Sequence, residues 1–159
     1  MSEEKFYQSA FGDKPLSWQT LWVSTENRQV IASILNHRFT TLRIRYQGSE
    51  QKTAWVFEEI GKEMPITIGV IINQGKVEKT LVLEYRETRG GEIRHPFFLN
   101  QFEGASLLTS DEDKNLDKTI DGITGATLSV RAMKRVVRVA LYCHQLTPFH
   151  QQPANAGTE

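Results

Sequence analysis

One short segment of the chain combines a turn that suits a phosphate with an accessible hydroxyl group: Asp121-Gly122-Ile123-Thr124-Gly125-Ala126-Thr127-Leu128-Ser129. Two glycines punctuate it and an apolar helical pattern follows, so it predicts a turn that opens a helix. Free backbone N–H groups and the positive end of the helix dipole meet at such a start and favour an anion. Gly125 and Ala126 place almost no side chain beside Thr127, so a bulky group can approach its hydroxyl. The plainer interpretation is a threonine-capped helix start preceded by a turn glycine.

The helix that follows is predicted to run to about Gln145, with Val130, Met133, Val137 and Ala140 as its apolar stripe. Basic residues recur on another side of this helix at positions i, i+3, i+4 and i+7: Arg131, Lys134, Arg135 and Arg138. They predict a solvated face, or alternatively a docking patch for an acidic redox partner.

Upstream of this segment the chain predicts one helix and then a run of strands. The helix covers roughly residues 25–36, and period-two alternation or β-branched enrichment predicts strands over 42–46, 53–59, 66–72 and 77–85. The last two strands are joined by a hairpin turn at Asn73-Gln74-Gly75-Lys76. The pattern indicates one α+β domain, an antiparallel sheet of about four or more strands packed with an N-terminal helix and a long C-terminal helix.

The remaining segments set the predicted limits of this domain. Residues 1–20 are expected to be a loose lead-in, 21–146 the domain itself and 147–159 a disordered tail. The region 96–102 predicts a short aromatic helix or turn, and its Phe97, Phe98 and Phe102 are expected in the core. The alternative is that one of them edges a bound aromatic ring.

Composition excludes several classes of protein. Nineteen basic residues balance nineteen acidic ones among 159, so the excess of positive charge typical of nucleic-acid and anionic-membrane binders is missing. The alternative of a local basic face stays open.

The single cysteine, Cys143, cannot form an intrachain disulfide and is expected to pack without a chemical role. His37, His95, His144 and His150 have no metal-ligand spacing. No apolar run is long enough to span a bilayer, and the start lacks the apolar core of a signal peptide, which predicts either a cytosolic protein or a removed leader.

The Asp121–Thr127 segment resembles the flavinylation motif of FMN-binding domains, such as the FMN-carrying subunits of sodium-pumping NADH:quinone oxidoreductase and of the Rnf complex. The resemblance implies that Thr127 carries FMN through a phosphoester placed by a flavin transferase that uses FAD. It further implies that Asp121, Gly122, Thr124, Gly125, Ala126, Leu128 and Ser129 contribute to the FMN site. The family's usual Ser at the fourth motif position is Thr124 here.

The likeness extends over about residues 66–142. Arg86-Glu87-Thr88-Arg89-Gly90 resembles the family's loop that approaches the flavin, which implies that Glu87 and Thr88 bind the cofactor. Arg89 stands where the family usually has Pro. Phe98 to Gly104 is similar to the aromatic segment that follows that loop.

The resemblance implies a small stand-alone electron carrier. It would hold FMN covalently and pass electrons between a membrane reductase and an extracytoplasmic, periplasmic acceptor, with no partner nucleic acid and no membrane span of its own. The alternative is a binding or sensing module that holds FMN without a covalent bond or not at all. An autonomous enzyme has no support, because the chain offers no assembled nucleophile and base.

Overall fold

The computed structural model of the chain describes residues 1–12, 14, 17–109 and 112–150. Its longer elements occur in the order α1 (Glu3–Phe11), β1 (Gln19–Trp22), α2 (Thr25–Leu35), β2 (Arg43–Ser49), β3 (Lys52–Ile60), β4 (Pro65–Asn73), β5 (Lys76–Glu84) and α4 (Thr127–Gln145). Between β5 and α4 lie 3₁₀ turns at Gly91–Arg94 and Asn100–Phe102, on either side of a short helix, α3 (Pro96–Leu99). The predicted α+β class is confirmed.

The sheet is a five-stranded antiparallel meander in which every strand pairs with its neighbours along the chain, in the order β1-β2-β3-β4-β5. Short connections enforce this order from β2 to β5, whereas α2 lies in the connection from β1 to β2. The β4–β5 hairpin turns at Gln74 and Gly75, whose φ angles of 57° and 78° are those of a two-residue turn that matches strand twist. At the opposite end of β4, Ile60 pairs with Pro65, so only four residues, 61–64, connect β3 to β4.

The main core lies between the sheet and the two longest helices. Alternate residues of the strands pack against α2 and α4, and the predicted stripe of α4 (Val130, Met133, Val137 and Ala140) is buried there. Phe98 and Phe102 are fully buried in the same core. Phe97 is 67% exposed, so the prediction that it belongs to the core is wrong. Because Pro96 begins a single helical turn, adjacent phenylalanines on it face different sides.

A smaller core on the other face of the sheet was not predicted. Residues 3–11 form α1 rather than a loose lead-in, and its Phe6, Tyr7 and Ala10 pack on Ala54, Ile71 and Leu83. Gly69 makes room for this helix, because a Cβ there would lie 2.6 Å from the ring of Phe6. The edge strand β1 (Gln19–Trp22) also begins inside the predicted lead-in over 1–20, at Gln19 and Thr20.

The chain stays packed beyond α4. Thr147 is buried, and the ring of Phe149 contacts Tyr46 edge-on at a centroid distance of 6.1 Å. Order therefore continues past residue 146, where the tail was expected to begin. The rest of the predicted tail, residues 151–159, lies outside the described residues. Within the part that is described, no helix has the length and apolar character needed to cross a membrane.

Candidate functional site

The start of α4 leaves its first-turn amides without a capping side chain. The N-cap residue is Ala126, and no side chain accepts a hydrogen bond at this end, whereas Ser2 and Ser24 cap α1 and α2 through their hydroxyl oxygens. Val130 N–H donates to the carbonyl of Ala126 at 2.9 Å, so the helix ladder begins one turn into the helix. The amide of Ala126 donates to the carbonyl of Ile123 at 3.0 Å. The amides that precede the ladder and suit an external anion are therefore those of Thr127, Leu128 and Ser129.

Thr127 is the first residue of α4, and its side chain is exposed. The residue two before it, Gly125, has a φ of +84°, a left-handed conformation that glycine adopts without strain. A Cβ built at Gly125 would meet no atom within 4 Å, so the space on this side of the turn is open. The predicted access to the Thr127 hydroxyl is therefore present in the structure.

The upstream half of the motif is held by a residue that the sequence did not single out, Gln101. Its side-chain carbonyl accepts from the amide of Asp121 at 2.7 Å, and its side-chain NH₂ donates to the carbonyl of Asp121 at 3.2 Å. One amide side chain thus fixes both backbone polar groups of Asp121 to the aromatic segment. The sequence offers one indication that Gln101 lies near the core, namely its position between Leu99 and Phe102, which are both buried.

A cleft of about 500 Å³ opens beside the start of α4. Three segments line it: Lys62 and Glu63 from the β3–β4 turn, residues from Tyr85 to Gly90 after β5, and residues 125–129. A second opening of about 520 Å³ adjoins it and shares Thr88, Arg89, Gly90 and Gly125.

The structure gathers most, but not all, of the predicted site residues at these openings. Those that line the first cleft are Gly125, Ala126, Thr127, Leu128, Ser129, Glu87 and Thr88. Thr124 lines the second opening. Asp121 and Gly122 line neither of the two, and both are exposed on the turn behind Thr124.

Glu87 has a structural task at the wall of the cleft. Its Oε2 accepts from the backbone amide of Glu63 at 2.6 Å and from that of Met64 at 3.1 Å. These two amide donors, Glu63 first, lower the pKa of the Glu87 carboxyl below its ordinary value of 4.5. The neighbouring side chain of Arg86 donates to the carbonyl of Pro65 at 2.6 Å. Glu87 and Arg86 therefore tie the loop after β5 to the β3–β4 connection.

Glycines allow these walls to approach α4 closely. A Cβ at Gly61 would lie 2.9 Å from Oγ of Ser129, which is buried beneath the first turn of the helix. Gly90 has a φ of +82°, and a Cβ there would lie 2.6 Å from the hydroxyl of Tyr85 and 3.4 Å from Cβ of Ala126. Larger residues at either position would push a wall away from Thr127.

Two of the four basic residues in the row on α4 bind acceptors within the protein. Arg135 pairs with the buried carboxylate of Glu59 at 3.3 Å, and that carboxylate also contacts His37 Nε2 at 2.9 Å. Arg138 donates to the backbone carbonyls of Lys114 and Asp113 at 2.8 and 2.7 Å. The prediction of a solvated face is wrong for Arg135 and Arg138, because their guanidinium groups satisfy buried or backbone acceptors.

The other reactive side chains lie away from the cleft lining. Cys143 is fully buried, and desolvation raises the pKa of its thiol, which agrees with a packing role. His144 is also fully buried; its Nδ1 lies 2.7 Å from the hydroxyl of Thr53, and burial lowers its pKa to about 4. Across the described residues, no cluster of three or more His, Cys, Asp or Glu side chains is arranged to hold a metal.

Residues 61–142 match the sequence profile of the FMN-binding domain family. The match covers slightly more than half of the chain and includes all three walls of the cleft, from Gly61 through the first turns of α4. The chain therefore belongs to the FMN-binding domain family, and it binds flavin. A search of curated proteins finds no match to it.

The residues at the cleft fit FMN. Uncapped amides at the start of α4 suit its phosphate, and the cleft of about 500 Å³ falls within the usual range of small-ligand pockets. Tyr85 and the partly exposed Leu128 give the lining apolar surface for an aromatic ring system. Thr88, Lys62 and Arg89 supply hydrogen-bond donors around it.

Proposed function

We propose that this protein is an electron carrier whose FMN is attached through a phosphoester to Oγ1 of Thr127. The observation that carries the proposal is the start of α4, where an exposed threonine hydroxyl and uncapped first-turn amides stand at the mouth of the cleft. A phosphate bonded to Thr127 would lie beside those amides and near the positive end of the helix dipole.

The attachment needs only a hydroxyl nucleophile from this chain. Oγ1 of Thr127 forms a bond to the flavin-side phosphorus of FAD, the pyrophosphate P–O bond breaks, and AMP leaves. The hydroxyl proton passes to a base of the transferase. The chain gains one FMN less one water, and no electron is transferred in this step.

The bound flavin would supply the redox chemistry, exchanging one or two electrons. The protein's part is to hold the cofactor and shape its surroundings. The tie from Glu87 to the β3–β4 turn fixes one wall, and the pair of bonds from Gln101 fixes the turn that precedes Thr127. A covalent bond keeps the cofactor in place where free FMN is scarce, so we place the carrier outside the cytoplasm, between a membrane reductase and a periplasmic acceptor.

The test of attachment compares Thr127 with Thr119, an exposed threonine that lies outside the motif and lines neither opening. In the presence of a flavin transferase and FAD, Thr127→Val is expected to carry no flavin that survives denaturation, while Thr119→Val keeps it. Both residues are exposed, so each valine should cost at most about 1 kcal/mol of folding free energy. Flavin fluorescence of the denatured protein on a gel measures the bond. Covalent flavin in Thr127→Val would contradict the assignment.

A binding or sensing module with noncovalent FMN is the second candidate. The same cleft and helix start would bind the phosphate of noncovalent FMN. Such a module would not need the hydroxyl of Thr127. Two results together would establish this second function. Folded Thr127→Val binds FMN as tightly as the wild type, and the wild type never retains flavin after denaturation.

A further inference from the structure

An exposed aromatic and basic surface covers the β1 edge of the sheet. This tryptophan–arginine surface consists of Trp18, Trp22, Leu42, Arg43 and Arg45. Trp22 is 68% exposed and Leu42 59%, which are high values for such large apolar side chains. The backbone brings Leu42 to the same edge, because the amide of Val23, which follows Trp22, donates to the carbonyl of Leu42 at 2.8 Å. Large apolar residues that are exposed together at one edge often mark a contact surface.

The strand register places the two arginines beside the two indoles. Trp22 pairs with Arg43 across β1 and β2, and Thr20 pairs with Arg45, so these side chains share one face of the sheet. The guanidinium of Arg43 lies 5.9 Å from the ring centre of Trp22, and that of Arg45 lies 4.1 Å from the ring centre of Trp18. Within the described part of the chain, no carboxylate forms an ion pair with either arginine.

The geometry points to reversible docking of the tryptophan–arginine surface on an anionic lipid bilayer. Indole rings favour the headgroup level of a membrane, and guanidinium groups beside them attract anionic lipids. A bilayer deforms around apolar side chains that protrude from an edge strand, whereas the strongest contacts between proteins fill recessed pockets. The zero net charge of the chain does not oppose this docking, because the attraction acts within about a Debye length of the surface.

The same end of the sheet carries both this surface and the flavin cleft. Trp22 ends β1, Arg43 begins β2, and β3 ends at Ile60, just before the cleft-lining Lys62 and Glu63. Because the strands are antiparallel, these termini lie at one end of the sheet. Resting on the proposed carrier function, docking here would bring the cleft alongside a bilayer that contains the reductase.

Vesicle sedimentation tests the docking with the full-length, flavin-free chain. Vesicles of phosphatidylcholine with about a third phosphatidylglycerol should bind the wild type, and pure phosphatidylcholine vesicles should bind it far less. Removing one cationic side chain in Arg43→Gln should weaken binding about fivefold. Trp22→Ala should weaken it by about tenfold and reduce the blue shift of tryptophan emission, since Trp18 remains in the surface. Arg131→Gln and Phe97→Ala, which remove an exposed arginine and an exposed phenylalanine elsewhere, are the matched controls.

Three outcomes would overturn the docking. The wild type does not bind anionic vesicles, the control variants lose as much binding as Arg43→Gln and Trp22→Ala, or Trp22→Ala binds the vesicles as tightly as the wild type. Quenching of tryptophan emission by a polyglutamate peptide, with no vesicle binding, would assign the surface to an acidic protein instead. The assay needs no flavin, so a chain that binds vesicles but is never flavinylated would refute only the carrier function. A chain that is flavinylated but ignores vesicles would refute only the docking.

Discussion

At the scale of single residues, Thr127 depends on neighbours that have no chemistry of their own. Gly125 leaves open space beside the hydroxyl, Ala126 leaves the first-turn amides uncapped, and Gln101 anchors the turn through the backbone of Asp121. Glu87 acts in the same indirect way, since its carboxylate is bonded to the β3–β4 turn. Glu87 therefore positions a wall of the cleft, and its role as a ligand of the flavin stays a prediction.

Replacing Glu87 should loosen one wall of the cleft. In Glu87→Gln the amides of Glu63 and Met64 lose their charged acceptor, so their hydrogen exchange should become faster by about tenfold or more. The lowered pKa means that the wild-type tie is present above pH 4.5 and is lost as the pH falls through the folded-state pKa of Glu87. Amide exchange measured by mass spectrometry at neutral pH provides the test.

Glu92→Gln is the control for that experiment, because Glu92 is exposed and lines only the adjoining opening. It should leave the two amides as protected as in the wild type. Equal protection of Glu63 and Met64 in Glu87→Gln would show that the turn holds its shape unaided.

At the scale of elements, the second face of the sheet depends on α1. The helix buries Phe6 completely against the sheet above Gly69, and Tyr7 contacts Trp18 edge-on at a centroid distance of 4.8 Å. This packing covers β3, β4 and β5 on the face opposite to α4. Without α1, the buried side chains of Ala54, Ile71 and Leu83 would face water.

Phe6→Ala should therefore destabilise the whole domain. A fully buried phenylalanine lost from a core costs about 3–5 kcal/mol of the free energy of unfolding. Phe97→Ala, at an exposed site, should change that free energy by at most about 0.5 kcal/mol. Denaturant unfolding followed by tryptophan fluorescence measures both. A loss below about 1 kcal/mol in Phe6→Ala would mean that α1 packs only loosely.

The elements also show what the sequence could predict and what it could not. The helix after Thr127, the strands from residue 43 to 84 and the hairpin at Gln74-Gly75 have strong periodicity or turn chemistry, and each is found close to its expected bounds. α1 was missed because a nine-residue helix carries only a short apolar stripe, at Phe6, Tyr7 and Ala10. β1 was missed because four residues are too few for alternation to stand out.

The candidate site likewise has features that the sequence predicted and features that it did not. The local motif predicted the helix start and the exposed hydroxyl of Thr127, since both depend on residues adjacent in sequence. The bonds from Glu87 to the β3–β4 turn and from Gln101 to Asp121 join residues 20 or more positions apart. Such pairings depend on the register of the sheet and on the path of the chain after β5, which no local pattern reports.

At the scale of the whole molecule, buried histidines should make stability depend on pH. The folded-state pKa of His144 is about 4, below the ordinary 6.5, because burial disfavours its charged form and His150 lies nearby. The unfolded chain therefore takes up the proton first, and stability falls as the pH drops from 6.5 towards 4. The hydrogen bond of His37 with Arg38 and its contact with Glu59 raise the pKa of His37, so its contribution is fully present below 6.5 and does not change in this window.

Between pH 6.5 and 4 the wild type should lose roughly 3 kcal/mol of its free energy of unfolding through His144. His144→Gln is less stable at neutral pH but should lack this fall, and His95→Gln, an exposed control, should retain it. Urea titrations across that pH range would measure the slope. A slope that is the same in His144→Gln as in the wild type would assign the loss to other groups.

The intact mass of the wild-type chain shows whether Thr127 carries FMN. The protein is produced with and without an active flavin transferase, and its mass is measured after denaturation. We expect a gain of one FMN less one water only with the transferase, located by peptide sequencing on Thr127. An unchanged mass in correctly folded protein beside an active transferase would contradict it.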